Sequence, residues 1–515
     1  RFTGINWDEN YHLHPDERFL TMVESAISPV ENFKEYFDTS SSSLNPNNRG
    51  YSFYVYGTFP IFLVRYVGEY LGQTGYDQIH LVGRVVSGVF DLGAIFLVFL
   101  IGKKLYRNSK LGLLAALFAA FSVLQIQLAH FFTVDNVANF FVYASIYVTV
   151  LLMMKERKSP TAHDRATATP SFWKDIFLKD GNLALYAAFG IFYGLALASK
   201  VSVFALAGLL PLASFVNYSR LPKENRAAEV HLVLRNLILA GILAFFTFRV
   251  FQPYAFLGPG FFGLSINQDW IASLKELSVI SSGIVDVPYA LQWARRPLTF
   301  ALQNLVQWGL GIPLGALGLL GFIWMGWRLF RGDWQKHILL WGWAAFVLFT
   351  QSINWVRSMR YLLPAYPALC LIAAWAVFKL WEYGSGAGRK LSRFNFNWRR
   401  SLAVFVAIIT VVASALWATS FSGIYNRPVT RVEASRWIYE NVSSAIRLTI
   451  DREDGGSVAQ LLPYQNTAII SSEDPYRYGF TAQSDGELQS ITLEHVVILP
   501  QSENGSLDPE ALNTL

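Results

Sequence analysis

Four carboxylates lie close together at the start of the chain: Asp8, Glu9, Asp16 and Glu17. A carboxylate acts as a general base when it lies within hydrogen-bond reach of the acceptor proton. Neighbouring carboxylates also raise one another's pKa or bind a divalent cation. A solvated loop is the simpler interpretation of one acidic pair. The density of this cluster, and the apolar side chains around it, favour a site at a membrane surface.

A second candidate group is the corner that runs from His130 to Asn136. Asp135 lies at the start of an apolar segment, and Asn139 follows one helical turn later. His130 brings an imidazole to the same corner. Either Thr133 or Asp135 could instead cap the helix that begins here. A ligand role and a capping role are therefore both open for Asp135.

Five cations lie at or near the ends of apolar segments on the side where few cations are expected. They are Arg84, Lys200, Arg249, Arg357 and Arg360. Cations beside a cleft suit a phosphate group, and arginine can bind it with two parallel hydrogen bonds. Arg357 and Arg360 are three apart, so on a helix they would share a face. Pairing with the nearby acids or contact with lipid headgroups is the alternative for each one.

The composition indicates which class of protein must position these side chains. Of the 515 residues, 53% are hydrophobic and only 15% are charged, whereas about 25% charged residues are usual in soluble domains. The 40 Phe, 24 Tyr and 16 Trp fit a polytopic membrane protein with aromatic belts. The net charge of +6 does not indicate nucleic-acid binding. Cys370 is the only cysteine, so no disulfide framework is predicted.

The apolar segments predict an all-α membrane unit with about ten transmembrane helices. The segment 53–72 carries Arg65 and Glu69 and is predicted to be a helix lying along the surface. The ten predicted spans are 80–103, 111–130, 134–154, 183–199, 201–217, 231–251, 300–327, 337–351, 361–381 and 401–422.

Basic residues predict the orientation of these spans. Lysines and arginines cluster in every second connection, which is typical of cytoplasmic loops. The basic connections begin near Lys103, Lys155, Arg220, Arg328 and Arg389. The external side then holds residues 1–79 with their acids, the 130–134 corner, the 199–200 turn, the 252–299 loop, the 352–360 loop and the tail from about 423. The alternation also predicts one more helix before Arg1, which would make eleven.

The C-terminal tail has a more polar composition than the apolar segments before it. Residues 430–442 predict an amphipathic helix, and 467–471 and 495–499 predict short strands. We therefore predict three parts: an external first loop with surface helices and the acidic motif, residues 1–79; a transmembrane core, residues 80–425; and a small external α/β domain, residues 426–515.

Residues 1–425 resemble the GT-C glycosyltransferases, integral membrane enzymes that use polyprenyl-phosphate sugars. Asp8-Glu9 and Asp16-Glu17 resemble the acidic motif of the family's first external loop. The sequence from His14 to Glu17, HPDE, is similar to the motif of the lipid-linked and GPI mannosyltransferases. Two Asp-Glu pairs are present, so which pair holds the base stays open.

Two later motifs resemble family 39, the branch of protein O-mannosyltransferases and aminoarabinose transferases. The segment from Thr133 to Asn136, followed by Phe140-Phe141, is similar to the second acidic motif of this branch. The segment from Arg360 to Pro367, RYLLPAYP, resembles its later arginine–tyrosine–proline motif. The external tail is smaller than the sugar- or peptide-binding domains of several relatives.

The resemblance implies a hexosyltransferase, with mannose as one candidate sugar, in the cell membrane. It would invert the anomeric carbon and move the sugar from a polyprenyl-phosphate donor to a lipid, glycan or protein acceptor outside. Asp16, Asp8, Glu17 and Glu9 are the candidate catalytic acids, and Asp135 and His130 form the second motif. Arg357, Arg360, Lys200 and Arg84 are the candidate phosphate ligands.

Two questions stay open at this point. A divalent metal ion could assist the reaction, but no spacing of histidines and cysteines requires one. The alternative function is that of a non-enzymatic membrane subunit or a transporter. A transporter should show internal symmetry or paired broken helices.

Overall fold

The computed structural model describes residues 1–155, 182–386, 398–441, 443–463 and 475–493. The chain divides into two compact units, Arg1–Asn426 and Arg427–Leu515. The first unit is helical. Its α-helices are α1 Pro15–Ala26, α2 Phe33–Tyr36, α3 Thr58–Leu71, α4 Tyr76–Tyr106, α5 Ser109–Ala120, α6 Val123–Ala129, α7 Val134–Met153, α8 Leu183–Ser199, α9 Leu209–Ser219, α10 Lys223–Phe251, α11 Gln268–Ser281, α12 Pro288–Leu291, α13 Phe300–Asn304, α14 Ile312–Arg328, α15 Trp334–Ile353, α16 Tyr366–Gly386 and α17 Trp398–Ser422.

Seven helical stretches of the described chain are long and apolar enough to cross a membrane. The bent pair α5 and α6 makes an eighth if it counts as one span. One stretch, Ile312–Ile353, contains two helices, α14 and α15. Gly332, with a φ of 106°, turns the chain between them. The helix α8 is apolar but shorter, at 17 residues. The prediction of an all-α polytopic unit is confirmed.

The structure corrects the shape of several predicted spans. The predicted span 111–130 bends by 60° between α5 and α6. The predicted span 300–327 is interrupted at Gly311, whose φ of 80° ends the preceding π-helical turn before α14 begins. Hydropathy detects an apolar stretch but not a break within it, because glycine adds no charge or polarity to mark the break.

Two other predicted spans begin with a 3₁₀ helix. The first of these helices is Val201–Gly208, which precedes α9, and the second is Met359–Ala365, which precedes α16. The latter contains Pro364, whose missing N–H disfavours a regular α-helix at that point. The predicted surface helix begins only at Thr58, as α3.

Glycines allow the long helices to pack closely. Gly190 and Gly194 are one turn apart on α8, and a Cβ on either would lie within 2.7 Å of the α10 backbone or side chains. On α4, a Cβ at Gly102 would lie 2.8 Å from the Cα of Gly112 on α5. Small residues in these positions let membrane helices approach one another at the backbone.

Alternate connections meet at opposite ends of this helical unit. At the basic end, Asn217 donates to the carbonyl of Leu152 at 3.0 Å, and Arg220 donates to that of Met153 at 2.8 Å. At the other end, the backbone N–H of Gly57 donates to Ser199, and that of Thr58 donates to Gln252. Some of the basic residues that predicted the orientation lie outside the described residues. They are those from Arg389 to Arg393 and those that follow Lys155 in the same connection.

The second unit contains a helix and a small sheet. The predicted helix 430–442 is observed as α18, Thr430–Asn441. The sheet is antiparallel with strand order β2-β1-β3, formed by β1 Ser443–Asp451, β2 Ser457–Pro463 and β3 Glu487–Leu493. The two predicted strands, 467–471 and 495–499, lie outside the described residues. Every residue of β3 is exposed, so this strand lacks the alternation of buried and exposed side chains on which strand prediction depends.

The contact between Gly83 and Phe132 gives a test of the fold. A Cβ at Gly83 on α4 would lie 2.2 Å from the ring of Phe132, which is buried. Gly83→Ala should therefore lower the free energy of unfolding by about 1–3 kcal/mol, the usual cost of overpacking. Gly241→Ala on α10 is the control, because a Cβ there meets no atom within 4 Å. Thermal unfolding in detergent measures both. Equal midpoints for the two variants would contradict the packing described.

Candidate active site

The first turn of α1 separates two adjacent carboxylates. His14 caps the helix, because its Nδ1 accepts the backbone N–H of Glu17 at 3.2 Å, and Pro15 occupies the first turn. Successive helical residues point about 100° apart. The side chain of Glu17 is therefore completely buried, while that of Asp16 is 26% exposed. Burial lowers the pKa of His14, so this cap is a neutral imidazole at neutral pH.

The buried acids share one arginine, and we call Asp8, Glu17 and Arg84 the buried ion cluster. Arg84 donates to both oxygens of Glu17, from Nε at 2.8 Å and from Nη2 at 2.7 Å. Nη2 also donates to Asp8 Oδ2 at 3.0 Å, and Nη1 donates to the carbonyl of Ile5 at 2.7 Å. None of the three charged side chains is exposed. All the donor nitrogens of Arg84 are thus engaged within the protein.

The buried ion cluster is also bonded to the backbone. Glu17 Oε1 accepts the N–H of Phe132 at 2.7 Å, and Asp8 Oδ2 accepts that of Leu13 at 3.1 Å. Burial raises the pKa of Glu17, while Arg84 and the Phe132 N–H oppose that shift. The cluster therefore joins α1, α4 and the 130–134 corner at a single point.

Two acids and two cations form a separate, more open group, which we call the open ion cluster: Asp16, Asp135, Lys200 and Arg360. Arg360 Nη1 pairs with Asp16, and its Nε lies 3.9 Å from Asp135 Oδ2. Lys200 Nζ pairs with Asp135 Oδ1 at 2.6 Å. The side chains of Arg360 and Lys200 are 24% and 26% exposed.

Four distant segments bring the open ion cluster together. Asp16 lies on α1, and Asp135 lies in the first turn of α7. Lys200 follows α8 in an extended conformation, and Arg360 lies in the 3₁₀ helix Met359–Ala365. The sequence pattern predicted these residues on one face, and the structure places them in contact.

Two tyrosines complete the open ion cluster, and sequence reasoning gave them no role. The ring of Tyr361 lies 5.2 Å from Lys200 Nζ and 5.5 Å from the guanidinium carbon of Arg360. The hydroxyl of Tyr56 interacts with Asp16, and burial raises the pKa of Tyr56 well above the ordinary range. The only sequence signal for either tyrosine was the position of Tyr361 directly after Arg360 in the segment RYLLPAYP.

The other predicted site residues lie elsewhere. Glu9 is exposed in the first turn of the chain. His130 is buried, with Nδ1 2.7 Å from the carbonyl of Ile126 and Nε2 3.0 Å from that of Thr3, and it stacks on Tyr425. It belongs to the core rather than to the group around Asp135.

The structure does not support the capping role considered for Thr133 or the shared helix face considered for Arg357. Thr133 precedes α7 but makes no side-chain capping hydrogen bond. Arg357 precedes the 3₁₀ helix that begins at Met359, so it shares no helical face with Arg360. It donates instead to the carbonyl of Arg296 at 3.0 Å. Arg249 is fully buried against backbone carbonyls of a neighbouring loop.

The buried ion cluster gives a stability prediction. Arg84→Met leaves Glu17 and Asp8 buried without a counter-charge, which should lower the free energy of unfolding by about 3–5 kcal/mol. The loss should shrink at acidic pH, because Glu17, whose pKa burial raises, becomes neutral there. Arg18→Met removes an exposed arginine from the same α1 and should change stability by less than about 0.5 kcal/mol. Indistinguishable unfolding curves for both variants would refute the role given to Arg84.

Comparison with known proteins gives no match among protein-family models or curated sequences. Among solved structures, the chain is similar to the Archaeoglobus fulgidus oligosaccharyltransferase tethered with an acceptor peptide containing the NVT sequon. The identity is 16% over 92% of this chain and 62% of that chain, with a TM-score of 0.51. The same enzyme in complex with Zn and sulfate matches with 16% identity over 90% and 55% of the two chains, and a TM-score of 0.51.

A weaker match is ArnT from Cupriavidus metallidurans bound to undecaprenyl phosphate, with 13% identity over 82% and 79% of the two chains and a TM-score of 0.41. At these identities the likeness concerns the fold, and this chain spans only 62% of the archaeal enzyme's length. The chain has the fold of the archaeal oligosaccharyltransferase, which agrees with the fold that the resemblance to the GT-C glycosyltransferases predicted.

Proposed function

We propose that the chain is an inverting glycosyltransferase that takes a sugar from a polyprenyl-phosphate donor. The observation that carries this proposal is the open ion cluster, in which four segments place two acids beside two cations. Acids can activate an acceptor, and cations can bind the phosphate that leaves.

An external location for this chemistry follows from the charges of the connections. The open ion cluster lies at the end of the helical unit opposite the basic connections that include Arg220 and Arg328. Basic connections are characteristic of the cytoplasmic side. A lipid-linked donor suits an outer site, because the lipid keeps the sugar at the membrane surface on that side.

Asp16 is the better candidate for the base. It is the acid of the first loop that combines partial exposure with contact to a candidate phosphate ligand. Asp8 is buried and bonded to Arg84, and both oxygens of Glu17 are used within the protein. In the proposed step, Asp16 takes the acceptor proton while the acceptor attacks the anomeric carbon and the bond to phosphate breaks.

Arg360 and Lys200 are the proposed phosphate ligands. Among the described residues, Nη2 of Arg360 makes no hydrogen bond, and Lys200 Nζ has one partner, Asp135. Both cations therefore retain donors while they stay paired with the acids. Charge builds on the phosphate oxygen as the bond breaks, so these donors act most strongly in the transition state.

The described residues do not provide a good metal site. No group of three histidine, cysteine, aspartate or glutamate residues in the described segments could hold a metal ion. The two acids of the open ion cluster are already paired with Arg360 and Lys200, whose combined charge equals that of a divalent ion. The proposed mechanism therefore contains no step that runs through a metal.

The acceptor class is a further part of the proposal. The archaeal relative was solved with an acceptor peptide containing the NVT sequon. A peptide is therefore one acceptor to test, together with a lipid and a glycan. Incubation of the purified full chain in nanodiscs with radiolabelled polyprenyl-phosphate sugars and these acceptors tests the function. Transfer of label supports the proposal, and its absence across the panel would favour a non-enzymatic membrane subunit or a transporter.

The assignment of the base predicts different results for two aspartates. Asp16→Asn should lower kcat by about 10²–10⁴-fold, the usual contribution of a general base, with little effect on thermal unfolding. Asp8→Asn should mainly lower the unfolding temperature, because it weakens the buried ion cluster. Asp269→Asn, an exposed outer acid, is the control for both measurements. A fully active Asp16→Asn variant beside a stable, inactive Asp8→Asn variant would move the base to Asp8.

The assignment of the phosphate ligands predicts donor-specific kinetics. Arg360→Ala and Lys200→Ala should each raise the apparent KM for the donor and lower kcat, and leave the KM for the acceptor nearly unchanged. Arg360→Lys keeps the charge but loses the planar fork, so it should recover activity only in part.

Two further arginines delimit this donor site. Arg331→Ala, at the basic end, is the control and should behave like the wild type. A rise in donor KM in Arg357→Ala would extend the site to that residue. If Arg360→Ala and Lys200→Ala both kept wild-type kinetics, the phosphate would have to bind elsewhere.

A further inference from the structure

The outer connection after α10 folds back on that helix as a hairpin. Phe256 and Ile266 pair as an antiparallel bridge. The backbone N–H of Leu257 donates to the carbonyl of Ser265 at 2.8 Å. We call Phe256–Ile266 the outer hairpin.

The composition of the outer hairpin is unusual for a loop in water. Its sequence is FLGPGFFGLSI, which contains no charged residue and one polar side chain, that of Ser265. Several of its apolar side chains are nevertheless exposed on the surface of the protein, although Phe256 is buried. Phe262 is 81% exposed, Ile266 is 52% exposed and Leu257 is 50% exposed. Exposed apolar side chains that lie together indicate contact with something other than water.

Ring contacts place the outer hairpin beside the apolar part of α10. The ring of Phe261 stacks on that of Phe246 at 5.7 Å, and Phe256 contacts Phe245 at 5.8 Å. Phe246 lies five residues before the end of α10, which corresponds to about 7.5 Å along the helix. The stretch Glu229–Phe251 is one of those apolar enough to cross a membrane. The hairpin tip therefore lies at the depth of the membrane-spanning helix, not beyond its end.

Arg249 satisfies the backbone of the outer hairpin at that depth. It is fully buried and donates to the carbonyls of Gly260 at 2.7 Å, Phe261 at 3.1 Å and Pro253 at 3.0 Å. Its guanidinium also lies 4.6 Å from the ring of Phe37. Non-helical backbone at membrane depth requires internal hydrogen-bond partners, because lipid offers none. This requirement explains an arginine at the outer end of α10 that binds carbonyls rather than an acid.

We propose that the outer hairpin inserts into the outer leaflet of the bilayer, with Phe262 among the lipid acyl chains. The lipid is the occupant that the geometry favours, because the hairpin packs on the flank of a membrane-spanning helix. This inference rests on the membrane assignment of α10 and not on sugar transfer. Its failure would leave the proposed enzymatic function untouched.

A fluorescent probe at the hairpin tip tests this proposal. Phe262→Cys is labelled with an environment-sensitive nitrobenzoxadiazole probe, and the full chain is placed in phosphatidylcholine nanodiscs with or without doxyl-labelled lipid. The wild-type chain is the labelling control, because its only cysteine, Cys370, is buried. We expect emission at shorter wavelength, loss of most intensity with doxyl lipid, and little quenching by aqueous iodide.

A matched probe and a second hairpin position keep the test decisive. Asn47→Cys, at an exposed position on the same outer side, should give the opposite pattern, with iodide quenching and no response to doxyl lipid. Leu264→Cys repeats the measurement if Phe262→Cys does not fold. Iodide quenching without doxyl quenching at the hairpin would overturn the insertion and indicate a surface in water. Quenching by neither would also overturn it and indicate a surface covered by protein.

Discussion

The end of the helical unit that contains the two ion clusters depends on one buried arginine between two carboxylates. Burial of three charged side chains is costly, and it is tolerated only when the geometry satisfies their hydrogen-bonding groups. Arg84 meets most of this condition with four hydrogen bonds to Asp8, Glu17 and Ile5, and Asp8 Oδ1 is left without a partner among the described residues. The N–H of Phe132 donates to Glu17 and so connects this carboxylate to the corner that leads into α7. The position of α1 relative to α7 is set at this point, and with it the distance between Asp16 and Asp135.

The adjacent acids of the HPDE motif have separate tasks in this arrangement. His14 and Pro15 start the helix, Glu17 faces inward to Arg84, and Asp16 faces the open ion cluster. A helix start is well suited to this division, because neighbouring side chains diverge while their backbones are held rigidly. The motif therefore combines an anchor and a reactive group within four residues.

The sequence was sufficient to predict the class of fold and the two ends of the helical unit, and the four residues of the open ion cluster were among a larger set of predicted site residues. Apolar length and charge alternation are averaged over many residues, so they survive local irregularities such as the bend between α5 and α6. The partner of each cation could not be predicted, because Arg84 and Glu17 are 67 residues apart and residue type does not reveal a partner. Arg249 and Arg360 were both among the five cations at the ends of apolar segments, and the sequence did not show that their partners differ. One binds backbone carbonyls and the other binds acids. Membership of the GT-C family, the branch within it, the base and the phosphate ligands stay predictions.

The balance of charge in the open ion cluster bears on how a donor would arrive. Two carboxylates and two cations cancel, so the cluster has little field beyond about 10 Å, the Debye length at about 0.1 M salt. Long-range electrostatic steering, which accelerates the encounter of many charged ligands, is therefore weak here. A lipid-linked anion would reach the cluster by lateral diffusion in the outer leaflet and gain its attraction only on contact. The encounter would then depend on the membrane environment and hardly at all on ionic strength.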